Sequence, residues 1–352
     1  MKNWPVLLFI YFLLAPFPVA AGDLGDLYDR NKLARERPRF ERRINELFDR
    51  GIWPALSGDQ KQALKSVGFE FPLVGEISGN PMDFYSGQRG GRPFVAMPVL
   101  SLLFFEDLCT AYAWLHMKGF SLETIDEYVT MLRYKKAADF AGGRYPPPLK
   151  ALGIPANALA DRAVDDLSLR FRNTGYAFIL LHELGHIFHQ DRGYKGITTA
   201  QARSKEQRAD RFALDVLHQT DTIPMGGLLF FQAQAYFMPS KGQLRAEGKI
   251  KTEQDWETYL KSEVTHPLTA DRLRNMAVHM EKSAPGAPTR SYRETLVFIS
   301  TRLEHIAGIL EDEDLQRCIA VVAHRAAPSI LAPRRPRTQT ATLLEQWCGR
   351  KN

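Results

Sequence analysis

The chain has 352 residues, of which 45% are hydrophobic and 24% charged, and its net charge is +6 at pH 7. This length is enough for one large domain or for two lobes. The modest positive charge, without aromatic residues between the basic ones, argues against a nucleic-acid-binding protein. None of the three cysteines lies in a C-x-x-C pair, so the sequence does not indicate a cysteine-based structural zinc site.

The N-terminus carries the three parts of a secretory signal peptide. Lys2 supplies a positive charge, Val6 to Leu14 is an unbroken apolar run, and Val19-Ala20-Ala21 is a small-residue cleavage site. We expect cleavage after Ala21, so that residues 1–21 are a signal peptide and the mature protein is soluble, either periplasmic or secreted. A retained N-terminal membrane anchor is the alternative, although two prolines in the stretch disfavour a continuous helix.

Residues 22–145 are predicted to form an N-terminal lobe of helices with a small sheet. Apolar spacing predicts helices at 24–50, 57–67, 100–117 and 122–140. Apolar runs next to turn residues predict strands at 68–77 and 93–99. Phe94 to Met97 is a candidate edge strand that could pair with a bound peptide, and a structural hairpin arm is the alternative. The proline-rich stretch 142–149 is the clearest linker to the next lobe.

The segment His182-Glu183-Leu184-Gly185-His186 is the most informative part of the chain. Apolar spacing predicts a helix from Thr174 to Gln190. Because the two histidines are four residues apart on this helix, both imidazoles project from one face, which is the arrangement that a single zinc ion requires. Glu183 lies beside the pair, where it can deprotonate a zinc-bound water. A helix with two surface histidines is the simpler alternative.

A catalytic zinc ion needs a third protein ligand. The metzincin pattern supplies it shortly after the second histidine, but the required glycine and histidine are replaced here by His189 and Arg192. A second helix is predicted from Arg203 to His218, and Glu206 and Asp210 lie one turn apart at the flank of its apolar stripe. Both carboxylates would face the interior, where a zinc ion and an imidazole N–H would offset their lost hydration.

The H-E-x-x-H motif followed by Glu206-Gln207-Arg208-Ala209-Asp210 resembles the signature of the gluzincin metallopeptidases. The E-x-x-A-D motif is more similar to that of the HtpX and CAAX-prenyl-protease family. Thr265-His266-Pro267, followed by Arg272, resembles a third segment of that family. The likeness covers roughly residues 174–276 and does not extend to the N-terminal third or the C-terminal tail.

This resemblance implies three zinc ligands: His182, His186 and Glu206. It also implies that Glu183 is the general base and that Asp210 orients a ligand histidine. His266 or Arg272 would lie near the oxyanion of the substrate. One Zn²⁺ per chain is the expected cofactor.

The zinc-bearing lobe is predicted to span residues 146–325, and a basic, proline-rich tail follows at 326–352. Further helices are predicted at these positions: 225–237, 253–260, 269–282, 295–310 and 314–324. The tail is interpreted as an exposed linker and last short helix, with a peripheral contact to an anionic envelope surface as the alternative. Cys109 is expected to be a buried thiol, while a Cys318–Cys348 bridge and two unbridged thiols both stay open.

The predicted architecture is α+β and mostly helical, a zincin-like metallopeptidase fold with a small sheet and the active-site helix at a cleft. The leading hypothesis is an exported zinc endopeptidase that hydrolyses peptides or unfolded proteins, with no nucleic-acid partner. One alternative is a non-catalytic envelope chaperone or binding protein stabilised by zinc. Another is a zinc amidase that acts on a cell-wall bond. The pattern leaves the oligomeric state open.

Overall fold

The computed structural model describes residues 24–77, 79–191, 193, 197–238, 241–246, 248–262 and 268–325. This part of the chain is mostly helical and carries one three-stranded sheet, which confirms the predicted α+β composition. The predicted signal peptide, His266 and the C-terminal tail lie outside the described residues.

Between residues 24 and 161, the described part of the chain contains five α-helices: α1 (Arg30–Glu46), α2 (Gly58–Leu64), α3 (Val99–Met117), α4 (Glu123–Tyr134) and α5 (Pro148–Ala151). Asp29 caps α1, and Ser57 forms a capping box with Gln60 at the start of α2. Helix α3 is apolar on nearly all sides and almost completely buried, as expected for a helix in the centre of a core.

Eight α-helices follow among the residues described up to 325: α6 (Arg162–Phe188), α7 (Thr199–Gln219), α8 (Met225–Phe237), α9 (Lys241–Ala246), α10 (Glu253–Ser262), α11 (Ala270–Ser283), α12 (Arg290–Glu311) and α13 (Glu313–Arg325). Helix α6 begins well before the predicted start at Thr174. The Asp161 side chain caps it by accepting from the Ala163 N–H, and Val164 and Phe171 are buried on the added turns. The predicted bounds of α8 agree with the structure.

The sheet consists of β1 (Gly68–Glu70), β2 (Tyr85–Arg89) and β3 (Arg92–Ala96) in the order β1-β3-β2. Strand β3 is parallel to β1 and antiparallel to β2, so it is central. Phe94 to Met97 therefore does not form an edge strand, and the alternative, a structural hairpin arm, agrees with its antiparallel pairing to β2, which is an edge of the described sheet. Gly90 and Gly91, both with positive φ, form the two-residue turn that joins β2 to β3.

The predicted strand at 68–77 ends at Glu70, because the chain then turns to meet the start of α3. The carbonyl of Pro72 accepts from the Val99 N–H at 2.8 Å, and the carbonyl of Leu73 accepts from the Leu100 N–H at 3.0 Å. These are among the first N–H groups of α3, which have no partner within the helix. The segment therefore caps α3 instead of extending the sheet.

Helix α6 is the centre of the molecule and packs against α3, α7, α8 and the sheet. One apolar cluster extends from Leu24 to Ala307 and includes residues on both sides of the predicted lobe boundary. The predicted linker is anchored at two points, since the Tyr128 hydroxyl donates to the Pro146 carbonyl and the Tyr145 hydroxyl to the Lys135 carbonyl. The division into two lobes stays a prediction.

Asp126 is a buried acid that joins α4 to α8. The side-chain amide nitrogen of Gln232 donates to both of its carboxylate oxygens, at 2.8 and 2.9 Å. Burial raises the pKa of Asp126 to about 8, although the amide and Arg302 act in the opposite direction. In the unfolded chain the pKa of an aspartate is about 3.9. Between these pH values the folded state binds more protons, so this group makes the protein less stable as pH rises.

We expect Asp126→Asn to remove this part of the pH dependence. From pH 5 to pH 8 the wild type should lose on the order of a few kcal/mol of unfolding free energy relative to the variant. The variant therefore gains in relative stability at the higher pH. Urea unfolding at both pH values measures this. The exposed Asp165→Asn should leave the wild-type slope in place, and an unchanged slope for Asp126→Asn would contradict the expectation.

Candidate metal centre

His182 and His186 lie one turn apart on α6 and face each other inside the protein. Both are buried, and their Nε2 atoms are 3.1 Å apart. The i,i+4 spacing places both rings on one face of the helix, as the sequence predicted. Phe178, one turn earlier on the same face, stacks on the His182 ring at 6.3 Å.

Helix α7 brings Glu206 to this pair. Its carboxylate oxygens lie 3.5 Å from the Nε2 of His182 and 3.4 Å from the Nε2 of His186, and only 1% of Glu206 is exposed. A tetrahedral ion with bonds of about 2.0–2.1 Å separates its ligand atoms by roughly 3.3 Å. The 3.1 Å between the two Nε2 atoms is close to that separation, and one ligand atom from each of the three residues lies within 4.8 Å of the others, so this buried group could hold one metal ion.

Gly185 allows α6 and α7 to approach closely enough for this convergence. A Cβ atom at this position would lie 2.9 Å from the Cα of Ala209 and 3.2 Å from the Cβ of Phe212. The contact with Ala209 is with the backbone, which cannot move aside as a flexible side chain would. Gly185 and Ala209 are therefore the small residues that set the distance between the two ligand-bearing helices.

Each histidine is held by a carboxylate at its other ring nitrogen. Asp210 on α7 lies 2.9 Å from the Nδ1 of His182, and Asp191 lies 3.0 Å from the Nδ1 of His186. Burial raises the pKa of both aspartates, but the neighbouring histidines and arginines lower it by more, so each pKa lies below its usual value. Ionised carboxylates accept from Nδ1–H, which leaves the Nε2 lone pairs directed towards Glu206.

Asp191 is the site residue that the sequence analysis missed. Its N–H bonds back to the His186 carbonyl at 2.9 Å, because Gln190 adopts a positive φ of 56° where α6 ends. This turn reverses the chain and returns the Asp191 side chain to His186. Arg208 on α7 fixes its second oxygen at 2.7 Å. An aspartate directly after the end of the motif helix was the available signal.

Arg272 on α11 connects two of these carboxylates. Its Nε and Nη2 bond to the two oxygens of Asp210 at 2.7 and 2.8 Å, and its Nη1 lies 2.7 Å from Glu206. Thr269 caps the first turn of α11 and accepts from the Arg272 N–H, which directs this turn to the site. Because all three nitrogens face carboxylates, the arginine orients the ligand side chains. Its predicted contact with an oxyanion stays a prediction.

The balance of charge around the histidines also favours a cation. The cluster contains four carboxylates and two guanidinium groups: Glu183, Glu206, Asp210, Asp191, Arg208 and Arg272. Buried carboxylates lose hydration and must be compensated by positive charge or donors. One divalent ion between the Nε2 atoms and Glu206 would bring the cluster close to neutrality.

A cavity adjoins the candidate metal centre, and Glu183 and His182 line it together with Arg272. Only 1% of Glu183 is exposed. The rest of the lining is mostly apolar and comes from the segment before β2, from α6, from α8 and from the start of α11: Asn80, Met82, Phe84, Phe178, Ile179, Phe230, Phe231, Gln234 and Leu268. A volume of about 30 Å³ is open to the centres of water molecules, enough for one or two of them.

The structure brings together every predicted site residue that it describes. His266 lies outside the described residues, so its predicted contact with the oxyanion remains a prediction. His189 is at the C-terminus of α6, packs on Phe188 and Phe212, and is not among the candidate ligands. Cys109 is a buried free thiol, as expected. Cys318 is disulfide-bonded, so it is not the unbridged thiol of the second alternative, and Cys348 lies outside the described residues.

A comparison of the chain with protein-family profiles, curated proteins and solved structures finds no match. Among the described residues, no helix combines the length and the apolar character needed to cross a lipid bilayer.

We expect Gly185→Val to prevent assembly of the centre, because its side chain would meet the backbone of α7. The variant should lose most of its bound metal, measured as the metal content per chain of purified protein after incubation with Zn²⁺. Gly308→Val is the matched control, since a Cβ at Gly308 in α12 meets no atom within 4 Å. Full metal content in Gly185→Val would show that α7 does not need this approach.

Asp210→Asn and Asp191→Asn should each weaken metal binding by about 10- to 100-fold, because each removes the carboxylate that orients one ligand histidine. Competition with a coloured chelator measures the affinity. The exposed Asp165→Asn serves as the control. Unchanged affinity in both site variants would contradict the orienting role.

Proposed function

We propose that this chain is a zinc-dependent peptidase. The observation that carries the proposal is the position of Glu183. It directly follows a ligand histidine in sequence, and it lines the same cavity as that histidine. A buried metal centre, an adjacent carboxylate and room for a water molecule are the parts that metal-assisted hydrolysis requires.

The donor set supports zinc as the metal. Two imidazole nitrogens and one carboxylate are typical of catalytic zinc sites, whereas Ca²⁺ and Mg²⁺ prefer oxygen donors. With three protein ligands, one coordination position is left for water or substrate. A zinc ion held by His182, His186 and Glu206 would supply Lewis-acid chemistry and make a water acidic near neutral pH.

The chain's own residues account for proton transfer and alignment. The Glu183 carboxylate accepts a proton from the attacking water and returns it to the nitrogen of the leaving amine. Asp210 and Asp191 hold the imidazoles so that their Nε2 atoms converge. Arg272 balances the charge of Glu206 and Asp210 while the reaction proceeds.

The surroundings of the cavity suit a peptide. Four phenylalanine rings form most of its apolar wall: Phe84, Phe178, Phe230 and Phe231. They present an apolar surface to a side chain next to the scissile bond, while the cavity itself has room for one or two water molecules. Strand β2 begins just after the cavity-lining Phe84 and, within the described residues, pairs with β3 alone. An extended peptide could add to its other edge. These features support assignment to a zincin-like fold and to the gluzincin group.

The cellular location in this proposal rests on the N-terminal sequence. Its charged, apolar and small-residue parts are typical of a signal peptide. A disulfide at Cys318 is typical of an oxidising compartment outside the cytosol. We propose a periplasmic or secreted peptidase that acts on peptides or unfolded protein.

Glu183→Gln should keep its metal and lose peptide cleavage, because glutamine cannot accept the proton. We expect a fall of at least about 100-fold in kcat/KM, the lower end for loss of a general base. Cleavage of a capped hexapeptide library, followed by mass spectrometry and paired with metal analysis, measures both properties.

The control is Glu46→Gln, an exposed change of the same type on α1, which should retain wild-type activity. A Glu183→Gln protein that cleaves as fast as wild type would disprove the general-base role. A wild-type protein that binds zinc but cleaves no peptide in the library would disprove the proposed function.

A further inference from the structure

Two carboxamide side chains line the cavity beside Glu183, and the proposed chemistry assigns no role to either. Asn80 lies in the segment before β2, and Gln234 lies on α8. Both are partly exposed. Each is hydrogen-bonded to the backbone of the same residue, Met82, which is itself buried.

The hydrogen bonds to the Met82 backbone determine which donor and acceptor atoms of the two amides remain available to a ligand. The Met82 N–H donates to the Oδ1 of Asn80 at 3.0 Å. The Nε2 of Gln234 donates to the Met82 carbonyl at 3.4 Å. Exchanging oxygen and nitrogen in either amide would place two donors or two acceptors face to face, so both orientations are set. Asn80 therefore has an NH₂ group still to donate, and Gln234 has a carbonyl oxygen still to accept.

We infer that Asn80 and Gln234 recognise the main chain of the substrate, with Asn80 donating to a peptide carbonyl and Gln234 accepting from a peptide N–H. A donor and an acceptor beside the same cavity match the two polar groups that every peptide unit presents on opposite sides. Esters and phosphates lack the N–H, so they could satisfy only one of the two amides. The inference rests on the proposed peptidase function and names the feature of the substrate that the cavity recognises besides an apolar side chain.

The neighbouring groups are compatible with this role. The lining contains one carboxylate from Glu183 and one guanidinium from Arg272, and Arg272 is bonded to Asp210 and Glu206. Apart from the candidate ligand His182, the two amides are the neutral polar side chains among the described residues of a lining that is otherwise mostly apolar. The polar groups of a peptide unit held beside this cavity need partners, because a hydrogen bond left unmade costs the desolvation of the group.

The test uses zinc-loaded full-length protein and one capped hexapeptide that it cleaves, chosen from the library described above. The same hexapeptide is then synthesised with each backbone nitrogen methylated in turn, outside the scissile bond. For wild type, methylation at one position should lower kcat/KM by about fivefold to tenfold, since it removes the N–H that Gln234 accepts. In Gln234→Leu the same methylation should have no effect.

Asn80→Asp tests whether the Asn80 side chain donates to a peptide carbonyl. Aspartate keeps the oxygen that accepts from the Met82 N–H but loses the NH₂ donor, so the local structure is retained. We expect KM to rise about fivefold to tenfold with little change in kcat, because a ground-state contact to the main chain is lost. Asn45→Asp is the matched control. Asn45 is an exposed residue of α1, and its Nδ2 donates to the Glu41 carbonyl of the same helix. Metal content and circular dichroism check that each variant is folded.

The outcomes separate this inference from the proposed function. If wild type cleaves the hexapeptide and methylation costs the same in wild type and Gln234→Leu, while Asn80→Asp keeps the wild-type KM, the role of the amides is overturned and the peptidase stands. If wild type with a full complement of zinc cleaves no library peptide, both are overturned. Loss of the methylation effect in Gln234→Leu together with a raised KM in Asn80→Asp supports the inference.

Discussion

The structure depends on the close approach of α6 and α7, because only at that distance do two imidazoles and one carboxylate point at a common centre. The two Nε2 atoms lie 3.1 Å apart beside the buried carboxylate of Glu206, an arrangement that a bound cation would stabilise. The small residues Gly185 and Ala209 make the approach sterically feasible. The long apolar faces of α6 supply the packing energy that holds such a cluster together.

The carboxylates behind the ligands make the arrangement specific. Asp210 and Asp191 are on different elements, yet they meet the two imidazoles in the same way, at Nδ1 and at almost equal distance. Arg272 links Asp210 to Glu206, so a movement of α11 would disturb a ligand and an orienting group together. The site is therefore a network that spans α6, α7 and α11, and its parts are coupled.

The cavity combines two kinds of surface. Phenylalanine rings from α6, α8 and the segment before β2 exclude water from most of the wall, while Glu183, Asn80 and Gln234 contribute polar atoms. Such a lining would suit the proposed peptide substrate, with an apolar surface for a side chain and polar atoms for the main chain. The edge strand β2 leads away from this cavity, which gives the proposed substrate a direction along the protein.

Features that depend on local backbone geometry were predictable from the sequence. The spacing of His182 and His186 places both rings on one face of a helix whatever surrounds them, and the apolar stripe of the second helix predicted that Glu206 and Asp210 turn inward. Helix positions followed from apolar periodicity, as for α8. Contacts between segments that are distant in sequence, in contrast, were visible only in the folded protein. Asp191 reaches His186 through a chain reversal, Arg272 arrives from a distant helix, and β3 rather than β2 became the central strand. These contacts depend on how the elements pack, and side-chain spacing along one segment carries no record of that packing.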